Sequence, residues 1–289
     1  MSEPRTVPAG ADETVELHCR GRAVACYGHR PDLPGRESPR PCLHPVRTLG
    51  GTVVTELRPA DHVHHLGVSI AVPDVSGVNF WGGRTFVRGR GPTELDNHGR
   101  QRHLRWLRRG TDGFAEELAW ERGGRRLLTE RRTVAVRELD GRCWALDLTC
   151  ELTNVRGEEL SAGSPATNGR PGAGYGGFFW RPPAGSRPPE VFTDRAAGEA
   201  AVHGRPAPWL AMTGEGWTLV FAGATDDTRR DPWFVRAAEY PGVGSALAWG
   251  NRLPLPPGRP VVRRVVTAVA DGRLDRTAAA GVAARLRVT

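Results

Sequence analysis

Residues 61 to 65 read Asp-His-Val-His-His, an acid and three histidines in five positions of a chain that has nine histidines in 289 residues. Six of the nine (His44, His62, His64, His65, His98 and His103) fall between positions 44 and 103. Imidazole is the side chain whose ordinary charge change lies near neutral pH, and in its neutral form it ligates Zn, Fe, Ni or Cu. Two chemistries therefore suit the segment. As a strand entering residues 66–72, alternation sets His62 and His64 on one side and Asp61 and His65 on the other. A His-x-His pair on one face then supplies two ligands to a divalent transition metal, with a third sought among His44, His98, Glu94 and Asp96. Without a metal, the same histidines work as general acid and base, with Asp61 fixing a tautomer.

A second chemistry-bearing stretch runs from Ser164 to Arg181, where Tyr175, Phe178, Phe179, Trp180 and Arg181 sit among glycines. Flat apolar faces beside hydrogen-bond donors match a sugar ring, which stacks its C–H face and offers hydroxyls. Asn168 and Arg170 add polar groups. A third polar stretch, Trp81 to Gly99, contributes Trp81, Asn97 and His98. Long loops with such residues tend to be functional. There is no GxGxxG motif opening a helix, no P-loop, no G-x-S-x-G elbow and no HExxH.

The elements that hold these loops read as strands. In Cys143 to Leu152 the even positions, Trp144, Leu146, Leu148, Cys150 and Leu152, are apolar, the period of a half-buried strand. Further strands are predicted at 14–19, 23–27, 51–57, 66–72, 127–136, 218–222 and 260–269, separated by turns drawn from 37 Gly and 24 Pro. Only the alanine-rich 273–286 predicts a helix. The reading is an all-β, mostly antiparallel sandwich or barrel in a single domain over 1–289, closed by a short C-terminal helix.

Composition narrows the function. All 40 basic residues are arginine, so lysine Schiff-base and lysine-base chemistry are excluded. The net charge of +8 is spread along the chain and interleaved with acids, which argues against a nucleic-acid surface. Five cysteines without CxxC spacing read as reduced strand or core residues. No apolar run reaches about 18 residues and the start lacks the order of a secretory leader, so the expectation is a cytoplasmic protein with no membrane partner.

Several separated motifs carry a resemblance: Arg40-Pro-Cys-Leu-His-Pro-Val-Arg47, Asp61 to Gly67, Asn79-Phe-Trp-Gly82, Asn97-His-Gly-Arg100 and Gly172 to Arg181. Together they resemble the bacterial family DUF6807, whose members carry the label methane oxygenase PmoA. Cys42 departs from the aromatic expected there. A particulate methane monooxygenase subunit spans membranes and this sequence has no span, so the methane label is set aside. The resemblance implies a β-supersandwich like that of galactose mutarotase and its relatives, which act on carbohydrates with His and carboxylate pairs.

The expected function is a carbohydrate-active enzyme working on a sugar or oxidised sugar by proton transfer, of epimerase or lyase type. His62, His64, His65 and His98 serve as acid, base or metal ligands and Asp61 orients a histidine. Arg47 and Arg181 hold substrate oxygens, and Tyr175 and Trp180 line the ring site. His44, Trp81, Asn97, Asn168 and Arg170 complete the substrate contacts. The alternatives are a non-catalytic sugar-binding protein and a His-ligated oxygenase.

Overall fold

The computed structural model describes residues 13–286. Two antiparallel sheets face each other. The first has seven strands in the order Thr14–Cys19, Arg22–Gly28, Cys42–Val46, Val68–Ala71, Gly177–Trp180, Gly242–Ala246 and Trp233–Arg236. The second has eight, in the order Glu190–Thr193, Leu210–Gly214, Trp217–Gly223, Pro260–Asp271, Cys143–Asn154, Arg125–Asp140, Gly113–Arg122 and Arg100–Arg109. This is a sandwich and not a barrel.

Alternation explains the core between them. Trp144, Leu146, Leu148, Cys150 and Leu152 all point into it, where they join Trp120, Trp180 and Phe221. The opposite face of the same strand is not left wet throughout. Cys143 and Ala145 are covered by the C-terminal helix Arg276–Leu286, which buries Ala279, Val282, Ala283 and Leu286 on the outside of the eight-stranded sheet. The helix begins three residues later than predicted because Asp275 caps it, its carboxylate accepting from Ala278 N at 2.8 Å.

Two other sequence expectations change. Residues 51–57 form no strand: Val53 and Leu57 make isolated bridges, to Arg47 and Leu66, and Glu56 N donates to Arg181 O instead. The polar 81–99 stretch contains a small hairpin, Thr85–Val87 with Gly91–Thr93. The pair Arg100–Arg109 and Gly113–Arg122 was hidden by its many arginines, which lie on the solvent face or pair with acids across the strands. All five cysteines are free, four of them buried. Among the described residues no helix is long and apolar enough to cross a membrane.

Candidate functional site

Three chain segments meet at one end of the seven-stranded sheet for a topological reason. Val68, Trp180 and Val243 are register partners in adjacent strands. The residues before Val68, after Trp180 and before Val243 therefore leave the sheet together. These are the turn 59–67, Arg181 and the hairpin turn 237–241. Strand parity then selects the face. Phe178 and Trp180 point into the sandwich core, while Phe179 points outward onto a second apolar layer with Ala71, Trp81 and Phe234. A cavity of ≈ 490 Å³ opens over this outer layer.

The 61–65 segment is not strand but two successive turns, with His62 N donating to Pro59 O at 3.0 Å and His65 N to His62 O at 2.9 Å. The expected division into two faces is thereby overturned. His62 stacks on His65 with ring centroids 4.5 Å apart, and His64 meets His65 edge-on at 4.9 Å. Asp61 joins them, its carboxylate 2.8 Å from His62 Nδ1. Turns gather what a strand would have separated. The buried Arg40 ties this turn to its neighbour by donating to His64 O at 2.7 Å and to Trp81 O at 2.9 Å. Gly83, at a φ of +67°, lies so close that an added Cβ would stand 2.9 Å from the His64 ring.

Aromatic rings and arginines close the cavity. Tyr175 packs on Trp81 at 4.6 Å and Tyr240 on His62 at 4.6 Å. The Arg181 guanidinium lies 4.7 Å above the Tyr240 ring and reaches Asp61 at 3.2 Å, Glu56 at 3.3 Å and His65 Nδ1 at 3.4 Å. Arg84, Arg170, Arg236 and Glu239 line the rim. Arg84 and Arg236 also meet carboxylates outside it, Glu94 at 3.0 Å and Glu199 at 3.5 Å.

The electrostatics divide the three histidines. Burial, helped by Arg40 and by His62, pushes His64 down to about 3. Burial, with His64 and His62 next, holds His65 well below the ordinary histidine range. Both rings are neutral at physiological pH. For Asp61 the largest influence, burial, is outweighed by the hydrogen bond from His62 and the charge of Arg181, so its carboxyl stays below its usual value. Burial raises Tyr240 and Tyr175, so both remain phenols. His62 is the ring with a carboxylate on Nδ1 and its Nε2 left for a ligand.

Not every residue expected here arrives. Trp180 is fully buried in the core and donates to Val54 O, because its parity is opposite to that of Phe179 and Arg181. Arg47 donates to Gly51 O at 3.4 Å and stays outside the cavity. His44 is buried beside Thr55, Nδ1 2.9 Å from its hydroxyl. Asn168 braces Asp74 at 3.1 Å, and Asn97 donates to Gly77 O at 2.9 Å. His98 Nε2 sits 2.7 Å from Gly83 O, supporting the loop behind His64. Asp61, His62, His64, His65, Trp81, Arg170 and Tyr175 do meet around the cavity, with Arg181 beneath its edge. The sequence reading missed Tyr240, Glu239 and Arg236. The available signal was scarcity: the chain has three tyrosines and two of them line this cavity.

The metal alternative needs a third donor. Among the described residues no three His, Cys, Asp or Glu side chains are placed to hold an ion. Asp96 lies 3.7 Å from Arg122, Glu94 is paired with Arg84, and His44 and His98 are engaged as described. The protein donors among the described residues do not make a closed set with His62 and His64.

Fold and site together define a β-sandwich protein with a histidine-floored, arginine-rimmed pocket on the outer face of one sheet. The profile of DUF6807, a family of unknown function, matches residues 14–284, and the chain belongs to that family. No curated protein matches it. Among solved structures it is similar to a mutant of the heparan sulfate lyase HepC from Pedobacter heparinus, at 8% identity and a TM-score of 0.37 over 87% of this chain and 34% of that one. A heparinase III matches at 10% identity and a TM-score of 0.26 over 63% of this chain and 22% of that one. The chain thus spans about a third or less of the length of these structures.

Proposed function

We propose that the protein is a carbohydrate-active enzyme that moves a proton on an oxidised sugar, next to its carboxylate. The observation that carries this reading is the Asp61–His62 pair at the edge of a cavity whose other two histidines are held neutral. With Nδ1–H donating to Asp61, His62 Nε2 is the general base that takes the proton from the carbon beside the carboxylate. Charge then gathers on the carboxylate oxygens, where Arg170 and Arg236 stabilise it. Tyr240, kept protonated by burial and packed on His62, is placed as the acid. Trp81 and Tyr175 supply flat faces for the ring, and the cavity is of the size that small-molecule sites take.

The test is solvent exchange. Uronic acids and their glycosides incubated with the protein in deuterated buffer lose the proton next to the carboxylate, seen by proton NMR, and His62→Gln stops this while still binding the sugar. A set of neutral and acidic sugars that all bind without exchange would overturn the enzyme reading and leave a sugar-binding protein, a role that the two non-titrating histidines also suit.

A further inference from the structure

A second cavity of ≈ 440 Å³ adjoins the first, and Asp61, Glu239 and Tyr240 line both. Its remaining walls are the 184–189 loop, Pro59, Ala60, Glu56, Arg181 and the turn 237–241. The two halves differ in chemistry. The first has Trp81, Tyr175 and three arginines. The second is mostly proline and alanine with Ser186, Arg187 and Glu56, and its other arginine, Arg181, is already paired with Glu56 and Asp61. The acid of the proposed reaction, Tyr240, stands on the ridge between them, and the base, His62, packs against it from the first cavity with its ring centroid 4.6 Å away.

From this arrangement we infer that the substrate is a chain and not a free monosaccharide, and that its glycosidic bond crosses the ridge at Asp61 and Tyr240. The inference rests on the proposed function and adds to it the substrate class and the fate of the proton. The acidic residue of the chain lies in the first cavity, where the arginines meet its carboxylate. The neighbouring sugar, on the leaving side, lies in the second cavity against Pro59 and the 184–189 loop. Each cavity falls in the range that holds a small ligand.

A base in the first cavity, beside the carbon next to the carboxylate, and an acid at the junction make elimination the matching reaction. His62 takes the proton from the carbon next to the carboxylate. The electron pair of that C–H bond forms a carbon–carbon double bond, and the bond from the adjacent carbon to the glycosidic oxygen breaks. The leaving oxygen keeps that bonding pair and takes a proton from Tyr240. Solvent returns a proton to Tyr240 as His62 releases one, so no water, oxidant or cofactor is consumed. The products are an unsaturated acidic sugar and a shortened chain with a free hydroxyl.

The experiment compares free uronic acids with uronate-containing di- and tetrasaccharides, following deuterium exchange by NMR and the ultraviolet absorbance of the new conjugated double bond. Ala184→Trp and Ala238→Trp fill the second cavity from exposed positions. The expected result is double-bond formation on the oligosaccharides alone, with the ratio of oligosaccharide to monosaccharide kcat/KM falling about tenfold or more in either variant. Exchange on free uronic acids with no elimination on any chain, or a ratio unmoved in variants that keep the wild-type Tm, sinks the chain substrate and spares the proton-transfer reading. Neither exchange nor elimination on any acidic sugar overturns both.

Discussion

Two carboxylates among the described residues hold a histidine by its Nδ1. At the cavity, Asp61 meets His62 Nδ1 at 2.8 Å; in the interior, Glu116 meets His103 Nδ1 at 2.6 Å. The first pair has side chains 47% and 33% exposed, the second 0% and 4%. Around Glu116 the interior is a bonded polar network: Tyr27 donates to it, Arg132 reaches Tyr27 at 3.0 Å and Gln101 at 2.9 Å, and Glu130 takes two bonds from Arg132 and one from Trp120. Those charges depend on one another because water does not reach them. A carboxylate beside an imidazole is thus no site by itself. Access for a ligand separates a candidate base from a structural pair.

The largest expected effect breaks the interior member. Arg132→Met takes the guanidinium from Tyr27 and Gln101 and leaves the buried Glu130 charge to the neutral donor Trp120, and a loss of about 3–5 kcal/mol in urea unfolding is expected. A loss under about 1 kcal/mol would show that burial does not couple these groups. Next, His62→Gln should lower exchange or turnover about 10²–10⁴-fold while changing stability by less than about 1 kcal/mol. His103→Gln should do the reverse, lowering the unfolding free energy with the per-molecule rate kept. If both variants lose activity alike, the distinction by access fails.

A smaller effect is read from pH. His64, about 3 when folded, and His29, pushed down to about 4 by burial and His103, both stand below the ordinary histidine value of 6.5. The unfolded chain therefore binds more protons than the folded one between these values, and stability present above pH 6.5 is lost as pH falls toward 4 and 3. Chemical denaturation at pH 7 and pH 5 should show a loss on the order of 2 kcal/mol for each ring, and His64→Phe should flatten the slope by one such share. The smallest effect belongs to neither region. Asp226→Ala removes an exposed partner of Arg229, and a change under about 1 kcal/mol is expected, which sets the scale of an ion pair that solvent screens.

Much of the fold was legible because it rests on local pattern. The run 143–152 announces its inward face by period two, and the alanine-rich tail announces a helix. Part of the site was legible too, since Asp61, His62, His64, His65, Trp81, Arg170 and Tyr175 stand out by type and clustering. Trp180 was misplaced because type says nothing of parity: one position decides between core and cavity. His44, Asn97, Asn168 and His98 have the chemistry of site residues, yet each spends it on a neighbouring carbonyl, hydroxyl or carboxylate.

By itself the sequence determined the class of fold, the absence of lysine chemistry and the stretch that gathers histidines beside an acid, because composition and periodicity act over a few residues. Tertiary structure alone decided that 61–65 turns twice and brings all four groups together. It also brought Tyr240 and Arg236 to them through strand pairing from far along the chain. Register and turn geometry depend on which strands lie side by side, and that is a property of the packed sandwich.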